Sequence, residues 1–252
     1  MTTPKFGIQL YSVRKTLAAD FEGTMEAVAA MGYQGVELAF NYGGKSPDEL
    51  AALFGRLNLE VIGIYELLDQ VTNPQAPLYD YMKAFGCKYV TFGISPCYFE
   101  NDPFEKCVAL CRRCLDTIHG KGFTPLYHAH THEFVRQADG KSLLERLFAA
   151  PELDGLLLEA DTCWIRQAGL DVMPYLEANA TRIPLIHAKD LGTDNAVTEI
   201  GNGVIDFRPV VEFARKRSIP WVIYEQDATQ GTELESTQAS LRSLKDAAAT
   251  HR

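Results

Sequence analysis

Apolar residues recur along this chain in two alternating patterns. Short runs rich in β-branched and aromatic residues are each followed by a segment whose apolar positions recur every three to four residues. The runs predict strands at Phe6–Leu10, Gly35–Leu38, Val61–Tyr65, Tyr89–Phe92, Thr124–His128, Leu156–Glu159, Pro184–His187 and Trp221–Glu225. Nearly continuous apolar strands that alternate with helices are typical of a parallel sheet buried on both faces. Repetition on this scale predicts an α/β fold in which the sheet closes into a single (β/α)₈ barrel of the TIM type.

The intervening segments carry helix boundary signals. Ser46–Glu49 places a hydroxyl, a proline and a carboxylate at the spacing of a capping box, which predicts a helix start. The alanine-rich, amphipathic segment Thr232–Ala248 predicts the closing helix. Helix ends in the left-handed conformation are predicted at three glycines that stand shortly before strands: Gly32, Gly86 and Gly122.

Length and charge narrow the class of protein. The chain has 252 residues, close to the ~250 typical of one eight-fold barrel, so residues 1–252 are expected to form one domain. It carries 24 Lys+Arg against 33 Asp+Glu, a net charge of −9, which argues against nucleic acid as its main partner. A small-molecule partner is expected instead. The start of the chain leads directly into an apolar strand and no run of about 18 apolar residues follows, so a cytoplasmic protein without a membrane span is expected.

Cysteine spacing argues against a thiolate metal site and a disulfide framework. Cys107, Cys111 and Cys114 lie at i, i+4 and i+7 of a helical pattern, which predicts buried thiols on one helix face. The remaining cysteines are scattered along the chain: Cys87, Cys97 and Cys163.

Metal-competent side chains stand at or just past the ends of the last four predicted strands. They are His128, Asp161, His187 and Glu225. The carboxyl ends of barrel strands meet at one face, where active sites form, so these side chains are expected to converge on a divalent cation. Nitrogen and oxygen ligands without thiolate suit Mn²⁺, Co²⁺, Zn²⁺, Fe²⁺ or Mg²⁺ and do not choose between them.

The segment after the fifth predicted strand is dense in ionisable residues, because Tyr127–Phe134 contains three histidines and one glutamate. If the strand continues to His130, the two-residue period sends His128 and His130 to the same side. The alternative is that these histidines cap a loop by hydrogen bonding. Lys189, two residues after His187, offers an ammonium group that can bind a substrate oxygen.

Further acidic residues follow or end predicted strands. Glu159 lies one layer deeper than Asp161 and is expected to make a buried structural contact with a Lys or Arg. Glu37 and Glu66 are mouth carboxylates whose role stays open. Asp227 is expected to cap the helix that follows the eighth strand, while neighbouring Glu225 could be a ligand or a general base.

Several segments together resemble the sugar phosphate isomerase/epimerase superfamily, the xylose isomerase-like barrels. They are Phe6–Ser12, Gly35–Leu38, His187–Asp190, Gly201–Phe207 and Glu225–Asp227, so the resemblance covers nearly the whole chain. It implies a divalent metal held by residues of strands five to eight, of which the last three carry over to Asp161, His187 and Glu225. His128 stands where these enzymes usually hold a glutamate, so His128 and Glu133 both remain candidates for the strand-five ligand.

The resemblance also implies the chemistry. Such enzymes remove a proton from the carbon next to a carbonyl, and His130 is similar in position to a base of related dehydratases. Glu133 is then its partner or rival, and Lys189 a donor to a substrate oxygen. The implied activity is a metal-dependent sugar isomerase or epimerase.

Two other functions remain open. A lyase or dehydratase acting on a keto-sugar, keto-glycoside or inosose is favoured by His128 and His130, which stand in place of the usual glutamate. A sugar-binding subunit without catalytic activity is the third hypothesis, and the acidic charge disfavours an endonuclease. No glycine-rich phosphate cradle is present, so an unphosphorylated carbohydrate is expected. The resemblance also implies a homo-oligomer that pairs through helical faces.

Overall fold

The barrel predicted from the sequence is confirmed. A computed structural model describes residues 3–95 and 104–249, and within these ranges eight parallel strands form a closed barrel. The strands are β1 Lys5–Gln9, β2 Gly35–Ala39, β3 Glu60–Tyr65, β4 Tyr89–Phe92, β5 Thr124–His128, β6 Leu157–Asp161, β7 Leu185–Ala188 and β8 Trp221–Tyr224. The barrel closes where β8 pairs in parallel with β1. All the predicted strands are present, with ends that differ by at most two residues.

Helices surround the barrel. The α-helices are Arg14–Ala19, Phe21–Met31, Pro47–Arg56, Leu68–Val71, Leu78–Phe85, Phe104–Gly120, Thr131–Phe134, Leu143–Ala149, Thr162–Gln167, Val172–Ala178, Phe207–Arg217 and Glu233–Ala249. Short 3₁₀ turns lie at Leu10–Val13, Pro151–Leu153 and Ala180–Arg182. After β7, Asp190–Leu191 pairs antiparallel with Val197–Thr198. None of the described helices is long and apolar enough to cross a membrane.

The predicted helix boundaries are also found. Ser46 and Glu49 form a reciprocal capping box at the start of Pro47–Arg56. Gly32, Gly86 and Gly122 all have positive φ angles, as their places behind helices predicted. Strand β1 ends at Gln9 rather than at Leu10, because Leu10 already begins the first 3₁₀ turn.

The cysteines behave as core residues. Cys107, Cys111 and Cys114 are buried on one face of Phe104–Gly120, and no disulfide bond joins the cysteines of the described residues. Burial raises the pKa of the Cys114 thiol to about 12. Cys97 lies outside the described residues.

The interior of the barrel changes from apolar to polar along its axis. At one end, Leu126, Leu185 and Ile223 are buried in a small apolar cluster inside the barrel. Successive side chains of a strand alternate between its two faces, so the next inward position lies two residues further on. On these three strands that position holds a candidate ligand: His128, His187 and Glu225. The two-residue period of each strand thus leads from the apolar cluster to the carboxyl end of the barrel, where barrel enzymes have their active sites.

Candidate metal and catalytic site

The four predicted metal ligands converge. One side-chain atom from each of His128, Asp161, His187 and Glu225 lies within 4.8 Å of the corresponding atoms of the other three. Their exposed fractions are 2%, 0%, 0% and 5%. His187 Nδ1 lies 2.8 Å from Glu225 Oε2. Two imidazoles and two carboxylates gathered away from bulk water form a donor set suited to a first-row divalent cation.

Asp161 tests whether the residues fit such a cation. Its Oδ1 accepts hydrogen bonds from the backbone N–H groups of Cys163, at 2.8 Å, and Trp164, at 3.1 Å, and so caps the helix Thr162–Gln167. Its Oδ2 is buried and accepts no hydrogen bond from any described residue. Burial raises the pKa of this carboxyl group, against the effect of Lys189. The Lys189 ammonium lies 3.2 Å from this oxygen without forming a hydrogen bond to it. A buried carboxylate oxygen in that state, among three other candidate ligand groups, fits a place for a metal ion.

Lys189 is a buried positive charge at the edge of this cluster. Its Nζ lies 3.2 Å from Asp161 Oδ2, 2.9 Å from Glu225 Oε2 and 2.8 Å from Asp227 Oδ2. It also lies 4.4 Å from the ring centroid of Trp164. Burial opposes the charge, but the three carboxylates raise the pKa of Lys189 well above its usual value. The side chain is therefore an ammonium held in one place by charge.

A second carboxylate layer lies beneath the four candidate ligands. Glu159 Oε2 lies 3.0 Å from His128 Nδ1 and 3.3 Å from His187 Nε2, and Glu37 Oε2 lies 2.8 Å from His187 Nε2. The expectation that Glu159 meets a Lys or Arg is wrong, because Lys189 is held by other carboxylates and Glu159 faces the two imidazoles. Burial and the neighbouring Glu159 raise the pKa of Glu37 to about 8. Burial alone would raise the pKa of Glu159, but His187 and His128 hold it well below its usual value.

A cavity of about 210 Å³ opens above the cluster. It is lined by Gln9, Tyr11, Phe40, Tyr65, His128, His130, Glu225 and Asp227. Strand β5 stops at His128, so the strand does not carry His130, yet the ring centroids of His128 and His130 are only 5.0 Å apart. Burial and the nearby His128 lower the pKa of His130 to about 3. His130 is therefore a neutral imidazole on the cavity wall.

Glu133 is turned away from the cavity. Its Oε1 accepts a hydrogen bond from Tyr127 Oη at 2.7 Å, and its Oε2 accepts one from the backbone N–H of His130 at 2.8 Å. It is completely buried, and burial raises its pKa to about 7. Glu133 thus fixes the turn that carries His130. Glu66, the other carboxylate whose role the sequence left undecided, accepts a hydrogen bond from the Leu67 backbone N–H and does not line the cavity.

The aromatic wall of the cavity was missed in the sequence. Phe40 follows β2 directly and Tyr65 ends β3, so the rule that selected the candidate ligands at strand ends could have found both. Their rings meet edge to face with centroids 5.4 Å apart. Phe40 has a φ of 60°, a left-handed conformation that is rare for a bulky side chain. Such backbone outliers concentrate at functional sites.

Two of the motifs quoted from the sequence form one hydrogen-bonded unit. The Asp190 carboxylate, at the end of the motif His187–Asp190, accepts backbone N–H groups of Gly201 and Gly203 on Oδ2 and of Ile205 on Oδ1. A Cβ atom on Gly203 would lie 2.2 Å from Asp190 Oδ1, so only glycine fits there. The glycine-rich segment is therefore a structural partner of the strand that carries His187.

A closed parallel barrel with ionisable residues gathered at the carboxyl ends of its strands defines a TIM barrel with a candidate active site at its mouth. The chain belongs to the family described as xylose isomerase-like TIM barrel, whose model matches residues 25–247.

Solved structures share the fold over nearly the whole chain. A sugar phosphate isomerase/epimerase from Parabacteroides distasonis has a TM-score of 0.77 and 18% identity, covering 99% of this chain and 96% of that one. A probable 3-DHS dehydratase from Bacillus anthracis has a TM-score of 0.74 and 13% identity over 96% and 98% of the two chains. A 3-keto-D-glucoside 4-epimerase from E. coli has a TM-score of 0.70 and 13% identity over 96% and 99%. No curated protein matches the sequence.

Proposed function

We propose that this chain is a divalent-metal-dependent sugar isomerase or epimerase that removes a proton from the carbon next to a carbonyl. The observation that carries the proposal is the buried cluster His128, Asp161, His187 and Glu225, placed directly below a cavity whose wall includes the neutral imidazole of His130. The sugar isomerases and epimerases among the structures that share its fold support the same reaction class.

The four clustered residues would hold the metal through two nitrogens and two oxygens. When bound, a divalent cation would supply a Lewis acid that polarises the substrate carbonyl. The donor set keeps Mn²⁺, Co²⁺, Zn²⁺, Fe²⁺ and Mg²⁺ all open.

The protein's own groups supply proton transfer and charge. His130 is the proposed base, because its imidazole lines the cavity directly beside the ring of His128, with the two ring centroids 5.0 Å apart. Glu133 supports it indirectly through the His130 backbone N–H, at 2.8 Å. Lys189 does not line the cavity, so its fixed ammonium would act from behind the wall, through its ion pairs with the lining residues Glu225 and Asp227, on negative charge that develops on a substrate oxygen.

The cavity favours a small neutral carbohydrate. Its volume of about 210 Å³ is below the range of about 300–1,000 Å³ typical of sites for drug-sized ligands. Tyr11, Phe40 and Tyr65 offer apolar surface to the C–H faces of a sugar ring. None of the described residues that line the cavity is Lys or Arg, which agrees with an unphosphorylated substrate. A cytoplasmic location and a homo-oligomer remain predictions from the sequence.

A lyase or dehydratase is the second candidate. It is favoured by a specific observation: the end of β5 presents two imidazoles, His128 and His130, in place of a carboxylate. The probable 3-DHS dehydratase with the same fold is consistent with it. The two reactions share the first proton removal and differ in the product.

The deciding experiment is hydrogen exchange in D₂O. The metal-reconstituted protein is incubated with a panel of ketoses, keto-glycosides and inososes, and NMR follows deuterium entering the carbon next to the carbonyl. We expect exchange in the wild type, its loss in His130→Ala, and no loss in His119→Ala, a control on an exposed helix position. An isomeric product supports an isomerase or epimerase, and an unsaturated or dehydrated product supports the second candidate. Tight metal binding without exchange on any substrate would contradict both and favour a sugar-binding role.

A further inference from the structure

The two histidines of the cluster turn opposite ring nitrogens toward the deeper carboxylate layer. His128 uses Nδ1, 3.0 Å from Glu159 Oε2. His187 uses Nε2, 2.8 Å from Glu37 Oε2 and 3.3 Å from Glu159 Oε2. This leaves Nε2 of His128 and Nδ1 of His187 for other partners. His187 Nδ1 already lies 2.8 Å from Glu225, a residue of the proposed metal site.

One hydroxyl group lies between the two deeper carboxylates. Thr91 Oγ1, on β4, lies 3.3 Å from both Glu37 Oε1 and Glu159 Oε1. Glu37, Thr91 and Glu159 are all completely buried. The outer oxygen of each carboxylate is thereby directed at an imidazole, from a position one layer below the proposed ligands.

A histidine that binds a metal usually donates its other N–H group to a carboxylate, which sets the tautomer and makes the ligand nitrogen more basic. We infer that Glu37 and Glu159 are positioning residues for the metal site: they make His128 bind through Nε2 and His187 through Nδ1. The inference rests on the proposed function, since it requires a metal at His128, Asp161, His187 and Glu225.

A second metal ion is the competing interpretation. Glu37, Glu159 and His187 also offer atoms within 4.8 Å of one another. However, a neutral imidazole has one acceptor nitrogen and one N–H. His187 can therefore serve a cation through Nδ1 or through Nε2 but not, as a neutral ligand, through both. The geometry favours one cation on the Nδ1 side and a hydrogen bond on the other.

Zinc is a suitable probe because Zn²⁺ is diamagnetic. The full chain, labelled with ¹⁵N-histidine, is titrated with Zn²⁺, and long-range ¹H–¹⁵N spectra identify the nitrogen of each ring that carries the metal. We expect one Zn²⁺ per chain, bound by Nε2 of His128 and Nδ1 of His187. The Kd for Zn²⁺ and the Tm of the metal-free protein are measured for each variant in parallel.

The variants should form a graded series. Glu159→Ala removes the acceptor of His128 and the more distant of the two acceptors of His187, and should raise the Kd about 10- to 100-fold. Glu37→Ala should have a smaller effect, because Glu159 Oε2 remains 3.3 Å from His187 Nε2. Glu159→Gln keeps one acceptor oxygen and should recover part of the loss. Glu199→Gln is the matched control. Glu199 is also buried, but it accepts hydrogen bonds from Ser236 Oγ and the Gln230 backbone N–H rather than from a histidine, so the Kd for Zn²⁺ should not change in this variant.

The outcomes separate the inference from the proposed function. One bound Zn²⁺ with the stated nitrogens and the graded Kd values supports both. Zn²⁺ at the four-residue cluster through other nitrogens, or with an unchanged Kd in Glu159→Ala and Glu159→Gln, overturns the inference and leaves the function standing. Two Zn²⁺ per chain, one of them lost in Glu37→Ala, overturns it in favour of a second site. Absence of metal at the four-residue cluster overturns both.

Discussion

The Asp190 carboxylate stabilises the glycine-rich segment after β7 and offers a quantitative test of the structure. Its Oδ1 accepts backbone N–H groups from Leu191, at 2.8 Å, and Ile205, at 3.1 Å. Its Oδ2 accepts those of Gly201, at 3.0 Å, and Gly203, at 3.1 Å. Asn at this position has the same shape but one oxygen fewer. In Asp190→Asn, the side-chain NH₂ group therefore takes the place of one oxygen. Two backbone N–H groups lose their acceptor and face another donor instead.

The expected loss follows from those two bonds. Hydrogen bonds to charged groups contribute about 1.5–3 kcal/mol each, and stranded buried donors cost a similar amount. Asp190→Asn should thus lower the free energy of unfolding by about 3–6 kcal/mol, a large part of the ~5–15 kcal/mol of a typical protein. At roughly 2–4 °C per kcal/mol for chains of this size, the Tm should fall by at least about 6 °C.

The assay is thermal and urea unfolding followed by circular dichroism. Asp194→Asn is the matched control. Asp194 is exposed and, among the described residues, accepts one hydrogen bond, from the Ala196 backbone N–H at 3.1 Å, so the free energy of unfolding should change by less than about 1 kcal/mol. Gly203→Ala perturbs the same contact from the other side, because its Cβ would lie 2.2 Å from Asp190 Oδ1. A Tm within about 2 °C of wild type in Asp190→Asn would refute this account of the segment.

Three further outcomes are expected. Phe40→Gly relieves a left-handed φ of 60° and removes part of the cavity wall, so the free energy of unfolding should change by less than about 1 kcal/mol. The KM for the substrate identified by exchange should rise several-fold. Asn58→Gly is the control: Asn58 has a φ of 56° but does not line the cavity, so KM should stay unchanged. Lys189→Met leaves buried carboxylates unpaired, so urea unfolding should show the metal-free protein destabilised by about 3–5 kcal/mol and partly restored by Mn²⁺; equal stability without metal would contradict the charge argument. A thiol reagent at pH 7 should label the native protein's described cysteines only after unfolding, and fast labelling of any of them would contradict their burial: Cys87, Cys107, Cys111, Cys114 and Cys163.

The barrel and its cluster could be predicted because both depend on local signals. Each strand is an apolar run of a few residues, and each proposed ligand stands at the end of such a run, so chain position alone marks it as a mouth residue. Asp161 illustrates this: a carboxylate emerging from Leu157–Ala160 has to be paired or coordinated, and the structure places it among His128, His187 and Glu225. No knowledge of strand neighbours is needed for that step.

The partners of the deeper residues could not be predicted, since they depend on which strands face each other across the closed barrel. Glu37 meets His187 across 150 positions of sequence. The wrong partner was predicted for Glu159 for the same reason. The sequence shows that a buried carboxylate needs a partner, but it does not show which side chains of the neighbouring strands lie next to it. Phe40 differs from these residues: its place directly after β2 could have been found from the strand-end rule, but its left-handed φ has no sequence signal.

Depth along the barrel axis, rather than residue type, distinguishes the roles of the acidic side chains. Glu159 and Asp161 lie on the same strand with the same parity, two residues apart, and both are completely buried. The deeper carboxylate lies against the inner nitrogens of the imidazoles, whereas the outer one caps a helix with Oδ1 and turns Oδ2 toward the Lys189 ammonium without a hydrogen bond. Two residues of strand, about 6.6 Å in a parallel sheet, are enough to separate a group that orients ligands from a group that can be one. Exchanging the two roles would therefore require moving the carboxylate along the strand, and a change of Glu to Asp at either position would not achieve it.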